Sequence, residues 1–162
     1  MMRRMTSADD VLWATLRQLD DPNRLERPAD FDEGQAKARF ARLVNLIETA
    51  FRCDCNTDAG PLLIQDAAFF GDVMIPGEVT ETGQELCVRV SNFGPMATFG
   101  SSRGDAADPV DVALADRERV EVALVSAGYF LVPKGVLLSA YDGRAGGSPF
   151  LYTWWSRFFD YL

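Results

Sequence analysis

Seven of the last thirteen residues are aromatic: Phe150, Tyr152, Trp154, Trp155, Phe158, Phe159 and Tyr161. The 162-residue sequence has 18 aromatics in all, so more than a third of its rings lie in this short stretch. Apolar area of that density has to be docked, either into the chain's own core or onto a partner. Leu151, Trp155, Phe158, Phe159 and Leu162 form one stripe at helical spacing, whereas an extended chain would be aromatic on both faces. Periodicity leaves helix and strand both open. Either way Arg157 and Asp160 are charges set among rings. Arg157 is expected to stack on a ring or to pair with Asp142 or Asp160.

Upstream, two amphipathic helices are expected. The first starts at the capping residue Ser7, has Asp9 and Asp10 in its opening turn, and carries Leu12, Leu16 and Leu19 on one side. Asp20-Asp21-Pro22-Asn23 ends it. The second is capped by Asp32, with Gln35 three residues on as in a capping box. Its stripe is Ala36, Phe40, Leu43, Val44, Ile47 and Phe51.

The pattern then changes to short strands over 62–65, 67–75, 86–91 and 96–99, after a loop at 56–61. They are divided by the turn pairs Pro76-Gly77, Thr82-Gly83 and Gly94-Pro95. Within 86–91, Leu86, Val88 and Val90 alternate with Cys87, Arg89 and Ser91, as in an antiparallel meander with one covered face. Gly94 suits a turn position with positive φ. A third helix is expected over 116–127, with Val120, Ala123, Leu124 and Ala127 facing inward and Gly128 just past its end. One more strand at 129–132 and a helical turn at 136–138 precede the aromatic segment. No repeat or linker divides the sequence, which reads as one α+β domain over 1–162.

Composition excludes several chemistries. There is no histidine, so a Ser-His-Asp or Cys-His nucleophile system is ruled out. No phosphate-binding glycine loop is present. Cys53, Cys55 and Cys87 are odd in number, and Cys53-Asp54-Cys55 is too tight for an ordinary structural bridge. Free thiols are expected, with no metal and no cofactor. The net charge of −8 disfavours nucleic acid as a ligand and permits fast association with a basic protein. No apolar run reaches the roughly 18 residues of a membrane span. The basic Met1-Met2-Arg3-Arg4-Met5 is not followed by a signal-peptide core, so a cytoplasmic location is expected.

Candidate functional residues follow from charge and aromaticity. Asp105, Asp108, Asp111 and Asp116 give the stretch 101–116 an acidic character that suits a basic partner. Arg89, mid-strand in an apolar run, can pair with an aspartate or hold a carboxylate. Trp154 and Arg157 are of the types that dominate protein interfaces. Asp66 and Asp72 are the carboxylates an enzyme would use, but six residues along a strand separate them by about 20 Å.

The order of Ser91-Asn92-Phe93-Gly94, Ala127-Gly128-Tyr129, Val132-Pro133, Tyr141-Asp142-Gly143 and Thr153-Trp154-Trp155-Ser156-Arg157-Phe158-Phe159-Asp160-Tyr161-Leu162 resembles small bacterial immunity proteins of polymorphic toxin systems. The resemblance covers the second half of the chain. It implies a stand-alone, non-enzymatic protein that neutralises a cognate toxin, for instance a basic nuclease domain, by direct contact. It carries no binding residues over, because that broad class shares none. Two other classes remain: a small carboxylate- and Arg89-based enzyme or ligand-binding domain, and a homodimeric adaptor joined through exposed tail aromatics.

Overall fold

Helix α1 (Ser7–Leu19) buries Leu16, and helix α2 (Glu33–Phe51) buries Phe40, Leu43, Ile47 and Phe51 at the expected spacing. Asp32 caps α2 by accepting the Gln35 N–H at 3.0 Å. In the computed structural model the described residues are 7–59, 68–101, 112–145 and 151–160. The strand expected at 62–65 and the acidic residues Asp105, Asp108 and Asp111 lie outside them.

The sheet has five strands in the order β1-β2-β3-β4-β5. They are β1 (Asn56–Ala59), β2 (Phe69–Ile75), β3 (Leu86–Ser91), β4 (Met96–Ser101) and β5 (Phe130–Leu131). Strands β2, β3 and β4 form the expected antiparallel meander, and β1 extends it by one antiparallel strand. Two features depart from the sequence reading. The segment read as a loop at 56–61 starts with β1, whose polar Asn-Thr-Asp-Ala run shows no alternation because it is a short edge strand. The last strand runs parallel to β4, with Phe130 N–H donating to Pro95 O at 2.7 Å and Val132 N–H to Ala97 O at 2.8 Å. Between β4 and β5 lies helix α3 (Leu114–Ala127), which starts two residues before its expected first residue and supplies the crossover that a parallel pair requires. Gly128 ends it at φ 92°, and Gly94 holds the β3–β4 turn at φ 75°.

The two sheet faces are built differently. Val73, Ile75, Leu86, Val88, Val90, Ala97 and Phe99 pack with α2 and α3 in an apolar core. A register shift between Phe69 and Gly71 breaks the alternation of β2, and Phe70 joins this core against the rings of Phe31 and Phe40. The other face carries Asp72, Cys87, Arg89 and Thr98. Beside it a second core gathers Leu16, Phe93, Met96, Val132 and Leu137 with Trp154, Phe158 and Phe159. Helix α4 (Lys134–Leu137) and helix α5 (Trp154–Phe158) belong to that layer.

Within the aromatic stretch, residues 154–158 are therefore helical and docked. Thr153 first bridges to Ala140, then caps α5 by accepting the Ser156 N–H at 3.2 Å. Burying Phe158 and Phe159 contributes about 1.5–3 kcal/mol each. Removing 154–162 strips the second core of three of its four buried rings, leaving Phe93, and the shortened chain is expected to lose its cooperative urea transition by circular dichroism. A truncated chain with an unchanged midpoint contradicts this docking.

Candidate partner-binding residues and surfaces

Arg157 and Trp154 serve the fold. Both side chains have 0% relative exposure, so as folded they offer nothing to a partner. The partner of Arg157 is Asp20, not Asp142 or Asp160. Nε donates to Asp20 Oδ1 at 2.7 Å, Nη1 to Leu25 O at 3.2 Å, and Nη2 to Asp21 O at 2.9 Å and Arg24 O at 2.8 Å. The guanidinium also lies 4.6 Å from the Phe93 ring centroid and 5.1 Å from that of Phe158, so the expected stacking is present. Asp20 accepts further from Tyr141 Oη and Arg144 N, each at 2.8 Å. A Cβ at Gly143 would collide with the Asp20 carboxylate and the Tyr141 ring, so only glycine lets this loop close over them. Asp142 instead pairs with Arg17 at 3.1 Å and accepts from Trp154 Nε1 at 3.3 Å. The Arg17 hydrogen bond holds the Asp142 carboxyl below its ordinary range.

Arg89 is also committed internally, to the aspartate that sequence reasoning allowed it. Nε and Nη2 meet both oxygens of Asp72 at 2.7 and 3.0 Å, and Nη1 donates to Phe159 O at 2.8 Å. Its guanidinium lies 3.8 Å from the Phe69 ring centroid. The pair pins the end of α5 to the sheet. Asp116, expected on an acidic surface, is 1% exposed. It accepts the Glu81 N–H at 2.9 Å and Arg119 Nη1 at 3.1 Å, which ties the start of α3 to the β2–β3 connection. Of the tail rings, Tyr152 is exposed, while Trp154, Phe158 and Phe159 are enclosed and give a dimer interface nothing to grip.

The free apolar area lies elsewhere. Leu114, Val122 and Val125 are 66–72% exposed on the outer side of α3. A shallow groove of about 490 Å³ runs beside them, lined by Leu46 and Ala50 of α2 and by Ala115, Glu118, Val122 and Ser126 of α3. A signal for it was present in the sequence. Assigning Val120, Ala123, Leu124 and Ala127 to the inside leaves Val122 and Val125 on the opposite face of the same helix.

The thiols are free. Cys53 and Cys55 Sγ atoms lie 3.8 Å apart. Burial, with the Cys53 hydrogen bond, pushes Cys55 up to about 12. Burial and the Asp72 carboxylate push Cys87 up to about 12. Among the described residues no three His, Cys, Asp or Glu side chains converge as a metal site, and no helix is long and apolar enough to cross a membrane. Comparison with known protein families, with curated proteins and with solved structures found no match.

A thiol at about 12 is ionised in roughly one molecule in ten thousand near pH 8. Cys55 and Cys87 are therefore expected to resist iodoacetamide in the native protein and to label readily in about 6 M guanidinium. Mass-spectrometric mapping that finds native Cys87 labelled within minutes overturns its assigned environment.

Proposed function

We propose that this chain is a non-enzymatic cytoplasmic binding protein that neutralises a cognate bacterial toxin by direct contact, using the outer surface of α2 and α3. The observation that carries the reading is the exposed stripe of Leu114, Val122 and Val125 beside the α2–α3 groove. Apolar side chains grouped on an otherwise polar surface favour a protein partner, since burying them releases water at about 25 cal/mol per Å². The net charge of −8 adds attraction for a basic domain at long range. The resemblance of the second half of the sequence to immunity proteins supports the same class of partner.

The groove is rimmed by Glu118 and Arg119. A rim of both signs sets orientation, and the apolar centre supplies contact energy. Arg89, Trp154, Arg157 and Asp116 enter this reading as the framework that holds the surface. Asp105, Asp108 and Asp111 remain candidates for the electrostatic part.

The test is co-expression with the toxic domain encoded beside this chain's gene. Wild type is expected to restore growth and to co-purify with that domain. Val122→Glu with Val125→Glu replaces two exposed side chains, so the folding midpoint should move little. Rescue should nevertheless be lost, with binding weakened at least about 100-fold by calorimetry. Rescue by the double variant removes this surface from the proposal, and persistent toxicity with soluble wild type removes the toxin reading. A concentration-dependent dimer of wild type, abolished by the same double variant in sedimentation velocity, assigns the surface to a second copy of the chain instead.

A further inference from the structure

The end of α2 sets two thiols against each other. Arg52 stops the helix with φ 53°, the one non-glycine residue at positive φ among those described. The chain turns there, and Glu48 holds the next residues by both ends. Cys53 N–H donates to the Glu48 carbonyl at 3.2 Å, and Cys55 N–H to the Glu48 carboxylate at 2.9 Å. Asp54 between them is exposed, while the Sγ atoms of Cys53 and Cys55 meet at 3.8 Å. Both cysteines are half-buried at the margin of the first core, so each keeps part of its surface in solvent. Strand β1 begins at Asn56, directly after the pair.

Packing alone does not ask for this arrangement. A free cysteine buries like any small apolar side chain, and two of them need not meet. Here two backbone hydrogen bonds to one residue fix the tripeptide in the closed form that a bond between the sulfurs requires. A disulfide needs its sulfurs about 2.05 Å apart, which leaves about 1.8 Å for rotation about the two Cα–Cβ bonds to close. A ring of three residues is tight, which argues against a permanent bridge. Strained or exposed disulfides are the labile kind that thiols reopen. The third thiol, Cys87, lies on β3 on the face away from this core.

We propose that Cys53 and Cys55 form a redox-active dithiol that closes to an intramolecular disulfide by exchange with a low-molecular-weight disulfide such as oxidised glutathione. The Cys53 thiolate attacks one sulfur of the glutathione disulfide, that S–S bond breaks, and the first glutathione leaves as a thiolate. Cys55 then gives up its proton and attacks Cys53 Sγ, and the second glutathione leaves. The protein loses two electrons and two protons, and one glutathione disulfide becomes two glutathione thiols. Entry falls to Cys53, because burial, and after it the hydrogen bond and charge of Cys53, hold Cys55 protonated. Once Cys53 is bonded to glutathione its share of that effect is gone, and Cys55 ionises more readily. The closed bond fastens the end of α2 to the start of β1. The site is independent of the α2–α3 surface and stands whether or not that surface binds a toxin.

The reduced full chain is incubated with about 1 mM oxidised glutathione, quenched with acid, blocked with N-ethylmaleimide, and digested with trypsin and a glutamate-specific protease. The fragment from Cys53 to Glu78 then carries both thiols and is separate from Cys87. It is expected to be lighter by two hydrogens than the reduced fragment, to carry neither glutathione nor maleimide, and to reopen in excess reduced glutathione. Cys55→Ser should stop at the glutathione adduct on Cys53. In graded glutathione buffers the native pair should close with an equilibrium constant at least about 10-fold above that of the chain unfolded in guanidinium, because the fold prearranges the sulfurs. A smaller ratio overturns the proposal. So does a stable glutathione adduct on wild-type Cys53, a link to Cys87 or between chains, or a native pair that does not react. If Cys55→Ser fails to fold, the wild-type fragment and the comparison with the unfolded chain decide the question.

Discussion

The buried pair of Arg157 and Asp20 holds the molecule together. The two residues are 137 positions apart and essentially without solvent. Burying two charges costs several kcal/mol each, and their attraction repays it only when the remaining donors and acceptors are also satisfied. Here they are. The guanidinium holds the carbonyls of Asp21, Arg24 and Leu25, so it shapes the turn that follows α1. The carboxylate holds Tyr141 and Arg144, so it closes the loop before α5. Remove the pair and α1, two connections and the aromatic helix lose their common anchor.

A second ion pair does the same work at the sheet. Arg89 and Asp72 face each other across β2 and β3, and the third contact of Arg89 is the carbonyl of Phe159. The last turn of the chain is thereby held from two directions: Arg157 reaches back to α1, and Arg89 reaches up from the strands. Ser91 Oγ adds a bond to Phe158 O at 2.8 Å, and Ala68 N–H donates to Asp160 O at 2.9 Å. A five-residue helix has too few internal hydrogen bonds to persist alone. These external bonds and its buried rings keep it in place.

What the sequence made legible was local. The Asp32 cap, the stripes of α2 and α3, the alternation of β3 and the left-handed positions at Gly94 and Gly128 depend on residues within a few positions of one another. What it hid was relational. Asp20 reads as a helix-ending residue because nothing near it announces a partner late in the chain. β5 reads as one more strand of no stated direction, because parallel pairing depends on where α3 returns, which two residues cannot encode. β1 has a polar run because an edge strand needs no apolar face. The functional residues followed the same division. Aromatic and charged types pointed to Trp154, Arg157, Arg89 and Asp116, all of which the fold uses internally. The exposed valines of α3 carry the interface reading precisely because they do not fit the inward stripe.

That division also separates the two sides of the sheet. The α2–α3 side is a face left over after the inner core has been filled, and its exposed side chains are free to change without touching the ion-pair framework. The layer of α4 and α5 is organised by that framework: Trp155 is stacked on Phe159, whose carbonyl Arg89 holds. A change there acts on the seat of α5, and through Arg157 on the turn after α1. Contact at the α2–α3 face has no comparable route into the fold, so its effect on stability is set by the partner's affinity alone.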